Sequence, residues 1–333
     1  QTGSAEVLTS GSFDGSHIYA DNGVYTVTVT VTDDDGGSDT EQFQFTVQNV
    51  NPSLTVVGNQ TVAEAARVIQ RGGLAAKYPG DEGIERDPRV LFVDDFETGT
   101  VKEIGQRWGN IQHPEQIAAS EDIYAASPGV RSLHIRNNGH LFTHTQGVNT
   151  MFARFYVKFH EQTGYVHHFV HLVADRTPES WPKGGAGETP PGDAKFSTGI
   201  EPTGRWGQYP PPGVWNFYTY WHEMEKSRDG KYWGNSFRPK EGGDIPKGKW
   251  ICAEFMLVHN TPGKPDGEQA FWIDGELRGH WRGINWRKTA ALRANALTLE
   301  SYVTDRWTKN PTNIVFFDNL VIAKDYIGPA GRE

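Results

Sequence analysis

WICAEFMLVHNTPGKPDGEQAFWIDGEL, residues 250–277, reads as two strands joined by a turn. WICAEFMLV and QAFWIDGEL are rich in aromatic and β-branched residues, and the segment between them holds the Gly, Pro and Asp that reverse a chain. The same pattern recurs outward in both directions. LFVDDFE, SLHIR, FARFYVKFHE, YVHHFVHLV, WNFYTYWHEME, KYWGNSF, ALTLESYV and IVFFDNLVIA are all strand-like and separated by turn residues. Many short antiparallel strands in one long region predict an all-β fold, an antiparallel two-sheet β-jelly roll over residues 89–330.

The beginning of the chain is different. VYTVTVTVT alternates β-branched and polar residues, DDDGG is a turn, and EQFQFTVQN alternates again, which predicts a hairpin from a β-sandwich. Tyr19, Gly23, Tyr25 and the Asp33–Gly37 turn resemble the second half of a PKD domain, whose opening WDFGDG motif is missing. Residues 1–50 are thus expected to be a partial PKD-like (immunoglobulin-like) β-sandwich. Residues 51–88 show no strong periodicity and read as a linker with one short helix.

Charge marks the same division. The chain of 333 residues has a formal net charge of −9, and residues 1–66 carry nine acids with no Lys or Arg, so the remainder is balanced. A balanced surface argues against nucleic acid as a partner. No apolar run is long enough for a membrane span. Cys252 stands alone, so neither a disulfide framework nor a cysteine metal cluster is available, and it reads as a small buried hydrophobe. Eleven tryptophans are more than a core needs, and flat indole faces suit sugar rings. The chain begins with Gln1, and the expectation is a monomeric fragment of a larger, secreted multidomain protein.

DDFE at 94–97, residues 250–277 and FFDNLVIAKDYIG at 316–328 resemble concanavalin A-like jelly rolls, in particular those of alginate and glucuronan lyases. The resemblance covers roughly residues 90–328. It implies a polysaccharide substrate, a groove on the concave sheet, and Tyr/His chemistry that includes a Tyr-x-Tyr strand, matched here by Tyr218 and Tyr220. The family's Gln-Ile-His motif has no clear counterpart. The resemblance implies no cofactor for catalysis, but a structural Ca²⁺ between the first and last strands, with Asp95 and Asp318 at the matching positions.

Alternation of side chains along a strand sorts the candidates by face. In ARFYVKFH, Phe155, Val157 and Phe159 form an apolar face, leaving Arg154, Tyr156, Lys158 and His160 opposite. In YVHHFVHLV, Val166, His168, Val170 and Leu172 share one face and Tyr165, His167, Phe169 and His171 the other. If these strands are neighbours in one sheet, His167 and His171 join Arg154 and Lys158, and His168 is structural. In FYTYWHEMEK, Tyr218, Tyr220, His222 and Met224 oppose Phe217, Thr219, Trp221, Glu223 and Glu225.

The first face suits β-elimination from a uronic acid. Arg154 and His222 would neutralise the carboxylate, while Tyr220 and His171 serve as base or acid. Lys158, His167, Tyr156 and Tyr218 would contact flanking sugars, and Arg205, Trp206 and Tyr209 of the Pro/Gly-rich loop 174–213 would wall one end. The second face suits a glycoside hydrolase using Glu223 and Glu225. A non-catalytic carbohydrate-binding domain remains open, as does a zinc or copper site drawn from His140, His144, His167, His171 and His222.

Overall fold

In a computed structural model, the described residues are 6–7, 13–14, 23–47, 73–125, 127–177, 185–239, 243–302 and 313–331. Tyr19 and residues 51–72 of the expected linker fall outside them. Two units are distinguished, residues 1–61 and 62–333.

In the first unit, strands Gly23–Thr32 and Ser38–Val47 pair antiparallel, with Tyr25 opposite Phe45 and Val27 opposite Phe43. Asp33 closes the turn: its Oδ1 accepts the Gly37 N–H at 2.6 Å, and Gly36 takes a φ of 88° that side chains resist. The hairpin expected from alternation is therefore present.

The second unit is two antiparallel sheets laid face to face. One runs Glu276–Ile284, Gly267–Ile273, Trp250–Val258, Thr150–Phe159, Ile314–Ala323, Ser132–Arg136, Ile117–Ser120, with Val90–Asp94 also pairing to Ile314–Ala323. The other runs Asn235–Phe237, Val214–Tyr220, Lys195–Thr203, Val170–Asp175, Ala294–Glu300, His140–Val148, Asn110–Gln112. Met151, Ala153, Phe155, Val157 and Phe159 all point between the sheets, as their alternation predicts, and meet Phe169, Leu172, Trp215 and Phe217 from the other side. Phe155 lies 6.1 Å from Phe169, and Phe217 lies 6.2 Å from Phe255. Cys252 is buried, as expected.

The assumption that the Arg154 and His171 strands are neighbours is overturned: they belong to different sheets. Arg154, Tyr156 and Lys158 face outward from the first sheet. Leu74–Lys77, Pro79–Asp81 and Ile84–Arg86, three short 3₁₀ turns within the expected linker, cover that face together with residues 326–331. Leu74 and Ile84 bury against Phe152, Trp272, Tyr326 and Ile327. The Leu74 and Ala75 N–H groups donate to the Tyr326 and Ile327 carbonyls at 2.9 and 2.8 Å. Residues 73–88 thus belong to the jelly roll; their brief 3₁₀ turns left no period to read.

Arg154 is fully buried beneath this cover. Its Nη2 donates to both Asp81 oxygens at 2.6 Å and its Nη1 to the Asn319 carbonyl at 2.9 Å. Tyr156 stacks on Tyr124 and accepts the Ala330 N–H at 2.7 Å; Lys158 pairs with Asp122. None of the three lies on the second sheet, which carries His171. Arg154→Ala would strand a buried carboxylate and is expected to cost roughly 3–5 kcal/mol in denaturant unfolding, with the folded fraction keeping whatever activity the groove has.

Candidate active site in the concave groove

The second sheet's outer face forms a cleft of about 350 Å³ lined by His140, His168, His171, Lys195, Ser197, Tyr218, Tyr220, Thr298, Glu300 and Tyr302, among others. Its inventory follows from strand parity. Phe217, Thr219 and Trp221 are buried, so Tyr218 and Tyr220 must face the cleft. That decides between the two faces of FYTYWHEMEK. The strand ends at Tyr220, so parity does not carry on to the residues beyond it. Glu223 and Glu225 sit past its end and are exposed, with Glu223 accepting from the Asn285 side chain at 2.7 Å. His222 also lies past the end. Burial depresses its pKa, and its Nε2 is 3.7 Å from Glu223 rather than among the cleft-lining groups.

Gly199 explains how His171 fits. It stands directly between His171 and Tyr218 in register, and a Cβ there would come within 2.2 Å of the His171 ring. The missing side chain leaves room for the imidazole itself, which leans over Gly199 toward the tyrosine strand, two strands or roughly 9–10 Å away. The Tyr218 and Tyr220 hydroxyls are 3.5 Å apart, and Tyr218 also accepts the Gly234 N–H at 3.0 Å. Burial, reinforced by Tyr220, pushes the Tyr218 pKa well above the ordinary phenolic value, so it stays protonated.

Two glutamates that sequence reasoning passed over frame His171. Its Nε2 is 3.7 Å from Glu201, and its Nδ1 is 3.7 Å from Glu300, which also holds His140 Nε2 at 2.8 Å. Burial alone would raise both carboxyls. The His168 hydrogen bond to Glu201, and the His140 and His171 imidazoles close beside Glu300, outweigh it and hold both below the usual range.

The opening of the His171 strand departs from simple alternation. Regular structure begins at Val170, and His168 adopts a φ of 53°, a left-handed conformation that costs an ordinary residue about 1–2 kcal/mol. The kink reverses parity, so His168 joins His167 beside Glu201 instead of entering the core. Tyr302 stacks on His168 with centroids 5.4 Å apart. The expectation of a structural His168 is therefore corrected. Of the five histidines grouped as a possible metal set, His140 and His171 line the cleft. His167 stands beside His168, and His144 is exposed against Phe142. Arg205 and Trp206 are exposed on a turn four and five residues beyond Glu201, outside the cleft lining.

Asp318 is buried on the opposite sheet. It accepts the Tyr124 and Asn319 N–H groups at 3.2 and 2.8 Å, and among the described residues no ion pair reaches it. Burial, with Glu97 and Asp95 adding repulsion, pushes its pKa up to about 7.

Comparison with known proteins agrees with this architecture. Residues 6–47 match the PKD domain family. A search of curated proteins by sequence found no match. Among solved structures, the marine PL-14 alginate lyase from Aplysia kurodai aligns with a TM-score of 0.54 at 16% identity, over 71% of this chain and 99% of that one. A double variant of the alginate lyase Aly36B in complex with an alginate tetrasaccharide aligns at 0.52 and 15%, over 72% and 99%. Alginate lyase vAL-1 from Chlorella virus aligns at 0.51 and 13%, over 71% and 99%. Identities this low show a shared fold. The chain is a PKD-like segment followed by a jelly roll with the architecture of these lyases.

Glu300→Gln is expected to cost about 2 kcal/mol at pH 7 by removing the charge that His140 Nε2 faces at 2.8 Å. Because the folded carboxyl titrates below its unfolded value of about 4.3, that stabilisation is present above it and fades as pH falls further. Urea unfolding at pH 7 and in acid should show the wild-type advantage shrinking.

Proposed function

We propose that the jelly roll cleaves a uronic-acid-containing polysaccharide by β-elimination in the concave groove. The observation that carries this reading is the pair of tyrosine hydroxyls 3.5 Å apart, lining one cleft with His171, whose ring lies over Gly199. Tyr220 or His171 takes the proton from C5, the electrons form the C4–C5 double bond, and the C4–oxygen bond breaks. A tyrosine hydroxyl protonates the departing oxygen. With Arg154 in the opposite sheet, cationic character at the substrate carboxylate falls to Lys195 and to His168. Burial opposes the charge on His168, but its hydrogen bond to Glu201 holds its pKa above the ordinary value. His167, Tyr218 and Tyr302 contact the sugars on either side.

Support for a uronate polymer comes from the alginate lyases that share the fold. A hydrolase needs one carboxyl kept protonated as general acid. Glu223 and Glu225 are exposed, and Glu201 and Glu300 are both held below the usual range. The PKD-like segment and the polymer-cleaving fold both favour a site of action outside the cell, and no helix among the described residues is long and apolar enough to cross a membrane.

Incubation with alginate, glucuronan, ulvan and pectate is expected to raise ultraviolet absorbance from the unsaturated product. Tyr220→Phe should lower the rate at least about a hundredfold while leaving the melting temperature unchanged. New reducing ends on neutral glucans without absorbance would move the assignment to a hydrolase. An intact but bound polymer would move it to a carbohydrate-binding domain.

The resemblance also implies Ca²⁺, and the donor chemistry fits: the buried Asp318 carboxyl feels repulsion from half-buried Glu97 and exposed Asp95, and hard oxygen ligands are what Ca²⁺ takes. Asp95 and Asp318 would hold the ion and tie the first strand to the last. Millimolar Ca²⁺ is expected to raise the melting temperature, chelation to reverse it, and Asp318→Asn to remove the response.

A further inference from the structure

His167 and His168 are consecutive, and in a regular strand their rings would lie on opposite faces. The left-handed backbone at His168 instead brings the ring centroids within 4.0 Å of one another. His167 Nδ1 lies 3.7 Å from one oxygen of Glu201 and His168 Nδ1 lies 3.3 Å from the other. One donor atom from each residue falls within 4.8 Å of the other two.

The arrangement is held from several sides. His167 N–H donates to the Tyr302 carbonyl at 2.8 Å and Tyr302 N–H to the His168 carbonyl at 3.2 Å. His168 N–H donates to Glu201 at 3.1 Å, and the Tyr302 ring stacks on His168. Backbone strain maintained by so many contacts marks a place where geometry serves chemistry. A second observation points the same way. Asn216 pairs with Glu201 in register and so shares its face. It is fully buried, and neither amide atom finds a partner among the described residues.

We propose that His167, His168 and Glu201 bind one divalent transition-metal ion of the zinc type. Two imidazoles and a carboxylate are the donors such ions take, with a fourth position left toward the groove. Both histidine side chains keep about a third of their surface exposed, 33% and 29%, while Glu201 is 3% exposed, so the open side is the substrate's side. The ionisable groups around the trio are His171, Glu300, His140, Tyr218 and Tyr302. A bound ion displaces the proton of His168, so if the elimination reading holds, the ion takes the place of that imidazolium beside Lys195 as the positive charge at the substrate carboxylate.

The test is metal content after dialysis of the whole chain against Zn²⁺. Wild type and His280→Ala, a histidine on the other sheet, are expected to hold one equivalent. His167→Ala and Glu201→Gln should bind at least about tenfold more weakly, with near-ultraviolet circular dichroism checking their folding. Co²⁺ loading of wild type gives a readout that needs no variant: visible d–d bands typical of a four-coordinate nitrogen and oxygen site. No uptake, uptake equal in both variants, or a Co²⁺ spectrum like that of the aqueous ion overturns the site. Metal content is measured without substrate, so a chain that binds zinc yet yields no unsaturated product counts against the lyase reading alone.

Discussion

The aromatic seam between the two sheets is the constraint on which the groove depends. Phe155, Phe169, Phe217, Phe255 and Phe317 interlock at ring separations of 5.1 to 6.2 Å. Once those rings are committed inward, strand alternation leaves no choice about what points out. On one sheet it forces Tyr218, Tyr220, His171 and Glu300 into the cleft. On the other it forces Arg154 outward, where a charge survives only under a cover that supplies a counter-charge. Packing and chemistry are therefore two faces of the same strands.

This explains what the sequence disclosed. Alternation identified the core residues of ARFYVKFH and the hairpin of residues 23–47, because both are long and regular. It does not say which sheet a strand joins, so Arg154, Tyr156 and Lys158 were placed with the histidines when an apolar slab divides them. Nor does alternation survive a kink: one left-handed residue at His168 reversed its side. Glu201 and Glu300 carried no motif at all. The nearest signal was Gly199, a glycine inside a strand, which often means that something must approach closely.

The groove's electrostatics follow from its packing. Glu201 and Glu300 are buried too deeply to remain charged alone, and the histidines around them are what keep them ionised. Those same carboxylates flank the imidazoles, and His171 has an acid 3.7 Å from each ring nitrogen. Polar groups in such a network tend to specify one arrangement.

The position of strand Ile314–Ala323 has a consequence for vectorial synthesis. This late segment lies in the interior of its sheet, between Thr150–Phe159 and Ser132–Arg136. Those partners emerge from the ribosome more than a hundred residues earlier and have no direct pairing with each other to fall back on. The sheet therefore cannot close progressively as the chain grows. Its edges wait, unpaired and sticky, for the strand that joins them, and such long-range pairings make a slow folder that is exposed to aggregation in the interval.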